Sequence, residues 1–317
     1  MESMIKVAPM PDEFALAHEA RRRHVVGARH QQEHFAWMRA ELGAITANVD
    51  SATDLEILAR VSGMSPQSYT VEHTIVATFM VAAPADECQL FGSVGTARRT
   101  RQFGMRFLRK HAFVCHSCID EDLANKQFSW FHRSHQLVGV DRCVRHNEYL
   151  HQVFAEHPFE SAPSRWRDEG LVSERPFGPM RSTTNSFIDR QGSISVSILL
   201  RDRPVPCERL NRLLCEQARR LNVGGARTKG QTLLSDRVLE LAGEDWLYRR
   251  FPHFAMKSRG IAYREIDNVL KRRETAAPGE IYVLALAALF ASSEAALHMV
   301  ALADRDASVP GKLWEKF

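Results

Sequence analysis

Apolar residues along the chain recur mostly at helical spacing. From Asp12 to Leu42 they follow one another at roughly three- and four-residue intervals. Pro9 and Pro11 precede this stretch and favour an extended backbone at its start. The pattern predicts that the first segment is mostly helix.

A second helical pattern lies within residues 51–79. Thr53 can cap a helix, and Ser65-Pro66 can begin the next one, because Ser is a preferred cap and Pro fits the first helical position. The apolar face of the first helix is predicted to consist of Leu55, Leu58 and Ala59. Together these features predict a helix-turn-helix arrangement.

Small residues support this helix pair. Ala59 lets two helices approach closely, and Gly63 can take the positive φ of the turn. Met64 and Tyr69 are expected to fill the space between the helices. The pair is either a DNA-reading element or an ordinary helical hairpin, since many hairpins have Ala and Gly at these offsets.

The second half of the chain predicts a linker followed by helices. Residues 156–200 are rich in Pro, Gly, Ser and charge with weak periodicity, which is typical of a linker or an irregular segment. The helices predicted after it are Cys207–Leu221, Leu233–Ala242, Trp246–Phe251, Tyr263–Arg273 and Ile281–Leu302.

These patterns predict a mainly α protein in four parts. A helical N-terminal domain with the helix-turn-helix pair (residues 1–109) precedes a small zinc-finger or ribbon module (110–155). The linker (156–200) and a helical C-terminal domain (201–317) complete the chain. A length of 317 residues with 44% apolar side chains is sufficient for more than one packed unit.

The chain as a whole carries little net charge, but one stretch of it is distinctly basic. The formal net charge is only +4, but one stretch has no acidic residue and interleaves its cations with Phe103 and Phe107. Its basic residues are Arg98, Arg99, Arg101, Arg106, Arg109 and Lys110. Such a stretch suits a nucleic-acid backbone, although a solvated surface loop paired with acidic neighbours is equally compatible with it.

The chemistry of the termini and cysteines points to the cytoplasm. The first residues contain no apolar signal-peptide core, and the longest apolar run, Ile281–Ala291, is shorter than the roughly 20 residues that a membrane span needs. Six cysteines without a secretion signal predict reduced thiols, some of them available to a metal.

Two short motifs predict a metal site. Cys115 and Cys118 form a Cys-x-x-Cys pair, and Cys143 and His146 form a Cys-x-x-His pair. Two intervening residues let a tight turn direct both side chains at one ion, and two such knuckles complete the tetrahedron that Zn²⁺ prefers. All four positions are then filled by protein, which predicts a structural rather than a catalytic ion.

Other interpretations of this segment exist. The cysteines could be ordinary buried residues or a redox pair. His132 and His135, with Asp120, Glu121 and Asp122, could form a hydrolytic zinc site, but we favour surface or partner-contacting roles for both histidines, because a catalytic zinc needs a vacant position and an oriented base. The sequence contains no P-loop and no Gly-x-Ser-x-Gly motif, so no catalytic residue is predicted.

At this point the chain resembles the TniQ/TnsD family of transposon target-selection proteins. The matching features occur in the family's order: Pro9 to Glu13, Cys115 to Cys118, Asp120 to Asp122, Phe128 to Phe131 with Trp130, Cys143 to His146 with Leu150, and the helical segments 210–225 and 278–289. The chain departs from the family pattern in three ways. The usual Ser-Trp near the N-terminus is missing, His116 replaces a proline, and no further Cys-x-x-Cys follows His146. These departures bear on the subfamily and on the number of metal ions.

The resemblance implies a non-enzymatic adaptor. Such a protein engages target DNA or a CRISPR RNA-guided effector complex and recruits an AAA+ ATPase that regulates transposition, and some members are head-to-tail dimers. The alternative is a zinc-containing transcriptional regulator that reads DNA directly through the pair in residues 51–79.

Overall fold

The computed structural model describes residues 5–43, 49–93, 96–107, 109–177, 186–226, 230–271 and 275–304. Helices dominate these residues, and the strands are only two or three residues long. The predicted mainly α fold, with a small Cys/His module, is confirmed.

The chain divides into two compact units. The N-terminal unit comprises residues 1–80 and 89–203, and the C-terminal unit comprises residues 81–88 and 204–317, within the described ranges. The four-part division made from the sequence stays a prediction, and several of its residues, including 178–185 and 305–317, lie outside the described part of the chain.

Short helices build the N-terminal unit. In chain order they are α1 (Ala15–Val26), α2 (Gln31–Gly43), α3 (Asp54–Val61), α4 (Pro66–His73), α5 (Val76–Phe79), α6 (Ala97–Phe103), α7 (His116–Lys126), α8 (Pro163–Asp168) and α9 (Ser186–Leu199). α1 ends at Gly27, whose φ of 74° turns the chain before α2. The helices α8 and α9 fall in the segment predicted as a linker. In α9, Phe187, Ile194 and Ile198 recur at helical spacing and are buried.

α3 and α4 form the helical hairpin that the sequence predicts. The Thr53 side chain accepts a hydrogen bond from the Glu56 N–H, and the Glu56 carboxylate accepts one from the Thr53 N–H, so α3 begins with a capping box. Ser65 caps α4, and Gly63 has a φ of 76° in the connecting turn. Tyr69 is buried in the apolar cluster of this region, with Met64 packed at its edge.

A two-stranded antiparallel ladder lies beside the predicted metal ligands. β2 (Ala112–Val114) pairs with β3 (His151–Val153), with Phe113 opposite Gln152. A second apolar cluster surrounds this ladder and includes Phe14 of the N-terminal segment, Phe131 and Leu150. The remaining short parallel pairs in the described residues belong to the C-terminal unit: β1 (Ala82–Ala83) with β4 (Val205–Pro206), and β5 (Val223–Gly224) with β6 (Thr232–Leu233).

The helices of the C-terminal unit surround one apolar helix. They are α10 (Cys207–Arg220), α11 (Leu234–Ala242), α12 (Glu244–Arg250), α13 (Arg264–Asp267), α14 (Gly279–Leu289) and α15 (Ser293–Asp304). α14 is buried along its whole length and packs against α10, α11 and α15. Among the described residues, no helix is both long and apolar enough to cross a membrane.

Two sequence expectations for this unit are wrong. The single helix predicted from Ile281 to Leu302 is two helices, because Phe290 is extended and the Ser292 hydroxyl accepts a hydrogen bond from the Ala295 N–H to begin α15. The helix predicted for Tyr263–Arg273 is only α13 and a 3₁₀ turn, Asn268–Leu270, and its last two residues lie outside the described ranges.

Candidate metal centre

The first knuckle lies at the junction of a strand and a helix. Cys115 follows β2 directly and occupies the N-cap position of α7, with extended backbone angles. Cys118 lies in the first turn of that helix, and the Ile119 N–H donates to the Cys115 carbonyl over 3.1 Å. This sharp change from strand to helix brings both thiols to the same side of the chain.

The second knuckle is a tight turn within a hairpin. Arg142 and Tyr149 form an antiparallel bridge, and the Cys143 N–H donates to the Glu148 carbonyl over 2.8 Å. The Asn147 N–H donates back to the Cys143 carbonyl over 2.8 Å, and Asn147 adopts a left-handed φ of 53°. Asn tolerates this conformation better than most residues, so the turn closes and directs Cys143 and His146 inward.

The four predicted ligand residues come together. Their ligand atoms all lie within 4.8 Å of one another, and the three cysteines are buried. The His146 Nδ1 atom is 3.5 Å from Cys115 Sγ, 3.3 Å from Cys118 Sγ and 3.6 Å from Cys143 Sγ. The Cys118 and Cys143 sulfurs are 3.6 Å apart.

These distances fit a tetrahedral ion. Metal bonds of about 2.3 Å to sulfur and about 2.0 Å to nitrogen at tetrahedral angles separate sulfur from nitrogen by about 3.5 Å and two sulfurs by about 3.8 Å. Three thiolates and one imidazole are also the soft donor set that Zn²⁺ accepts. The cluster is therefore close enough, and chemically suited, to hold a metal ion.

The thiols influence one another's ionisation. Hydrogen bonds from Cys115 and Cys118 lower the pKa of Cys143, while hydrogen bonding with Cys115 and Cys143, reinforced by burial, raises the pKa of Cys118. Three thiolates at this spacing repel one another, so a bound cation is what would allow all of them to be deprotonated together.

Two further side chains orient the ligand residues. The His146 Nε2–H donates to Glu121 Oε1 over 2.8 Å, which raises the pKa of His146 and leaves Nδ1 facing the thiols. On the other side, His135 Nε2 lies 3.4 Å from Cys143 Sγ, and burial lowers the pKa of His135. Such outer contacts commonly fix the orientation of metal ligands. The sequence interpretation did not find the role of Glu121, although an acidic residue three positions after Cys118 was visible.

His132 and His135 are not surface residues, which corrects the interpretation favoured from the sequence. Both are buried. His132 Nε2 lies 3.1 Å from Asp122 Oδ2, and His135 contacts the thiol of Cys143 as described. Burial of these two rings is tolerated because each has a polar partner.

An arginine in this buried segment connects it to the N-terminal residues. Arg133 Nε donates to Asp12 Oδ1 over 2.8 Å, and its Nη1 donates to the carbonyls of Val71 and Thr74 at the end of α4. The Arg133 N–H also donates to the Asp12 carbonyl over 2.8 Å. Asp12 and Arg133 were not predicted as a pair, because residues so far apart in sequence show no local pattern.

The predicted basic residues differ in their surroundings. Arg98, Arg101, Arg106 and Lys110 are exposed, and Arg99 is half-buried. Arg109 Nη1 donates to the carbonyls of His135, Leu137 and Val140, and its guanidinium lies 3.4 Å from the centre of the Phe113 ring. Arg109 thus supports the metal module, whereas a nucleic-acid contact by any of the six residues stays a prediction.

Comparison with protein families gives a match to TniQ over residues 4–150. The matched range begins before the Pro-rich N-terminal segment and ends just after the second knuckle, so it contains all four predicted ligands. A search of curated proteins finds no match.

Proposed function

We propose that this protein is a target-selection adaptor without enzymatic activity, because residues 4–150 match TniQ, a non-catalytic family associated with transposition. It binds target DNA or an RNA-guided CRISPR effector complex, and it recruits an AAA+ regulator of transposition. We place it in the cytoplasm, where reduced thiols are stable, and infer from the family resemblance that it can form a homodimer.

The observation that carries the proposal is the closed Cys₃His cluster inside the family match. A Zn²⁺ ion held by Cys115, Cys118, Cys143 and His146 would have its four positions filled by protein. With no position left for water or substrate, the ion would stabilise the fold instead of taking part in a reaction. This supports a docking role over the hydrolase considered from the sequence.

Rigid connections to the metal module support the same role. Asp12 and Arg133 link the N-terminal segment to the segment between the knuckles, and Arg133 also reaches the end of α4. An adaptor that transmits the position of one partner to another needs surfaces held at fixed distances, and these buried polar contacts fix the three segments relative to one another.

The exposed cations on and after α6 are the proposed nucleic-acid contacts. Arg98 and Arg101 lie three residues apart on this helix and face solvent, and Arg106 and Lys110 follow. Three-residue spacing places side chains on the same face of a helix, so Arg98 and Arg101 can contact neighbouring phosphates.

Co-purification tests the adaptor role. The full chain is expressed with the AAA+ regulator and, separately, with the guide-RNA effector complex of the same transposon, and each mixture is passed over an affinity tag on this chain. We expect at least one of them to co-purify. Recovery of the chain alone in both cases, from zinc-loaded and folded protein, contradicts the proposal.

Salt dependence tests the nucleic-acid contacts. For duplex DNA binding by the full chain, the double variant Arg98→Ala/Arg101→Ala should weaken binding and reduce the slope of log K against log salt by about 2. Arg29→Ala, which removes an exposed arginine elsewhere in the same unit, is the matched control and should leave the slope unchanged. Binding that does not weaken between low and physiological salt rules out these contacts.

The α3–α4 hairpin favours one second candidate, a zinc-containing transcriptional regulator that reads DNA directly. The hairpin has the close helix contact and the glycine turn of a helix-turn-helix pair. This candidate requires tight, sequence-specific binding by the isolated chain, without an ATPase or a guide complex. Selection of a fixed sequence from a random duplex library by the isolated chain would favour it.

A further inference from the structure

The predicted ligand set carries more negative charge than a divalent ion can neutralise. Three thiolates contribute three negative charges and the ion only two positive ones, so a filled site keeps one negative charge. That charge lies in the interior, because Cys115, Cys118 and Cys143 are each 1% exposed. A buried charge is costly unless nearby groups donate hydrogen bonds to it. The donors around the sulfurs therefore affect how firmly the site holds an ion.

The sulfurs differ in the polar groups that face them. Cys115 accepts a hydrogen bond from the backbone of Cys118, and its sulfur also lies 3.5 Å from Glu148 Oε2. Cys143 faces His135, whose Nε2 lies 3.4 Å from its sulfur and 3.9 Å from that of Cys118. A backbone N–H is always a donor, whereas a histidine nitrogen donates only when it carries the proton. The tautomer of His135 thus decides whether Cys143 gains a donor.

The His135 ring is held in place by its surroundings. His135 is buried and lies in a 3₁₀ turn. Its carbonyl accepts a hydrogen bond from Arg109 Nη1 over 2.9 Å. Gln136, the next residue, is hydrogen-bonded to the N–H and the carbonyl of Phe113 on β2. Since β2 leads directly into the first knuckle, these contacts fix the position of the ring relative to the thiols.

We propose that His135 donates its Nε2–H to the Cys143 thiolate when the site holds a metal ion, and that this hydrogen bond helps to retain the ion. A metal-bound thiolate carries no proton, so an unprotonated nitrogen at 3.4 Å would bring two lone pairs together, which repel each other. With Nε2–H facing the sulfur, the contact instead offsets part of the negative charge of the site. His135 is thus a positioning residue and not a fifth ligand.

The same hydrogen bond should make Cys143 less reactive. An N–H donor withdraws electron density from the sulfur, so the thiolate attacks electrophiles more slowly. Loss of the donor should therefore speed both the alkylation of Cys143 and the release of the ion. This inference goes beyond the proposed function: it rests on the predicted metal site and needs no DNA, effector complex or ATPase, so it can fail while the adaptor role stands.

Nuclear magnetic resonance of the full, unaltered chain tests the hydrogen bond directly. The chain is labelled at its histidine nitrogens and loaded with zinc, and the spectrum distinguishes a protonated Nε2 from an unprotonated one. We expect His135 Nε2 to carry a proton, and we expect that proton to couple to the metal through the sulfur in a cadmium-loaded sample. An unprotonated Nε2 or an absent coupling overturns the proposal. Coupling of the metal to the ring-carbon protons of His135 also overturns it, because it would make His135 a ligand.

Two substitutions separate the donor from the volume of the ring. His135→Gln keeps an N–H donor near the position of Nε2, and His135→Leu fills similar space without a donor. In competition with a chromophoric chelator, His135→Leu should bind zinc about 10- to 100-fold more weakly than the unaltered chain, and His135→Gln should remain close to it. With iodoacetamide, His135→Leu should release zinc faster, and peptide mapping should find Cys143 alkylated earlier.

His132→Gln is the matched control. His132 is a buried histidine in the same segment, but it pairs with Asp122 and not with a thiol, so its substitution should change neither the zinc affinity nor the release rate. Equal affinities and release rates in His135→Leu and His135→Gln overturn the proposal, as does an equal loss in His132→Gln. If thermal unfolding shows that His135→Leu does not fold, the spectrum of the unaltered chain decides.

Discussion

Residues 129–136 and residues 281–289 are both buried, but by different means. In the first segment the buried positions include Ser129, His132, Arg133, Ser134, His135 and Gln136, each a polar side chain. In the second, the buried positions along α14 are apolar except for Tyr282. One segment is held by specific partners, and the other by packing.

The polar segment illustrates how such burial is possible. The Gln136 side chain bonds to the backbone of Phe113 as a neighbouring strand would. The Phe113 N–H donates to Gln136 Oε1 over 3.0 Å, and Gln136 Nε2 donates to the Phe113 carbonyl over 2.8 Å. Buried polar groups are tolerated only when they are paired, and each such pair also specifies one arrangement of the chain. The metal module therefore depends on a few particular contacts, whereas α14 depends on total apolar volume.

Loss of the metal should have the most different effects on the two regions. Cys143→Ser should release zinc and unfold the central module, since a structural zinc contributes on the order of 10 kcal/mol to small metal-dependent folds. Hydrogen exchange should then show loss of protection in residues 112–153 and none in α14. Cys88→Ser, outside the cluster, should keep both zinc and protection. Full protection of the module in Cys143→Ser would contradict a structural role for the ion.

A substitution in the apolar helix α14 tests the second of the two regions. Leu284 is fully buried, and Leu284→Ala should lower the free energy of unfolding of the C-terminal unit by about 2–5 kcal/mol through lost contacts and a cavity. Chemical denaturation followed by hydrogen exchange, with and without a chelator, measures this loss. The effect should be the same in both conditions. A loss that grows when zinc is removed would show that the two regions are not independent.

Acidic pH should lower the stability of the N-terminal unit through His18. Burial lowers the pKa of His18 from 6.5 to about 3, and its ring contacts the Tyr69 hydroxyl and the Val7 carbonyl as a neutral group. Because the unfolded chain binds a proton at higher pH than the folded chain, stability is retained above pH 6.5 and is lost progressively as the pH falls toward 3. The loss from this residue is about 2 kcal/mol between pH 6.5 and pH 5.

Comparison of variants isolates the contribution of His18. The change in unfolding free energy between pH 6.5 and pH 5 should be smaller in His18→Asn than in the unaltered chain, while His30→Asn, at an exposed position, should retain the full change. An identical pH dependence in His18→Asn and the unaltered chain would exclude His18 as the source.

The smallest effect concerns the orientation of one ligand. Glu121→Gln removes the carboxylate that accepts from His146 Nε2–H, and it should weaken zinc binding by about 10- to 100-fold. Competition with a chromophoric chelator measures the affinity. Asp120→Asn is the matched control, because Asp120 is the neighbouring carboxylate on α7 and pairs with Arg167 instead. Equal affinities for the two variants would remove Glu121 from the site.

The comparison also explains which features the sequence could predict. Local signals were sufficient for Thr53 and Ser65-Pro66, because a cap and its helix are adjacent, and for the helical core at Ile281, because a long apolar run has few other uses. The convergence of the four predicted ligands followed from the two-residue spacing of each knuckle. Each cap, each knuckle and the apolar run involve residues close in sequence.

The remaining features depend on distant partners. Nothing in the local sequence marks Arg133 as buried, and only the folded chain brings Asp12 and the carbonyls at the end of α4 to it. His132 and His135 were misplaced at the surface for the same reason, since their partners make burial possible. A cavity beside Trp130 is formed by three segments far apart in the chain, so no local pattern indicates it.

The contact between the N-terminal segment and residues 130–133, which lie between the two knuckles, has a practical consequence for protein engineering. The Phe14 N–H donates to the Phe131 carbonyl, the Trp130 Nε1–H donates to the Pro11 carbonyl, and the Arg133 N–H donates to the Asp12 carbonyl. A fragment cut at residues 110–155 keeps all four predicted zinc ligands but loses the Phe14 donor, the Pro11 and Asp12 carbonyl acceptors and the carboxylate of Asp12. Residues 110–155 resemble a self-contained zinc finger, but their hydrogen bonds are completed by residues more than a hundred positions earlier in the chain. Grafting this segment onto another protein therefore requires the N-terminal segment as well.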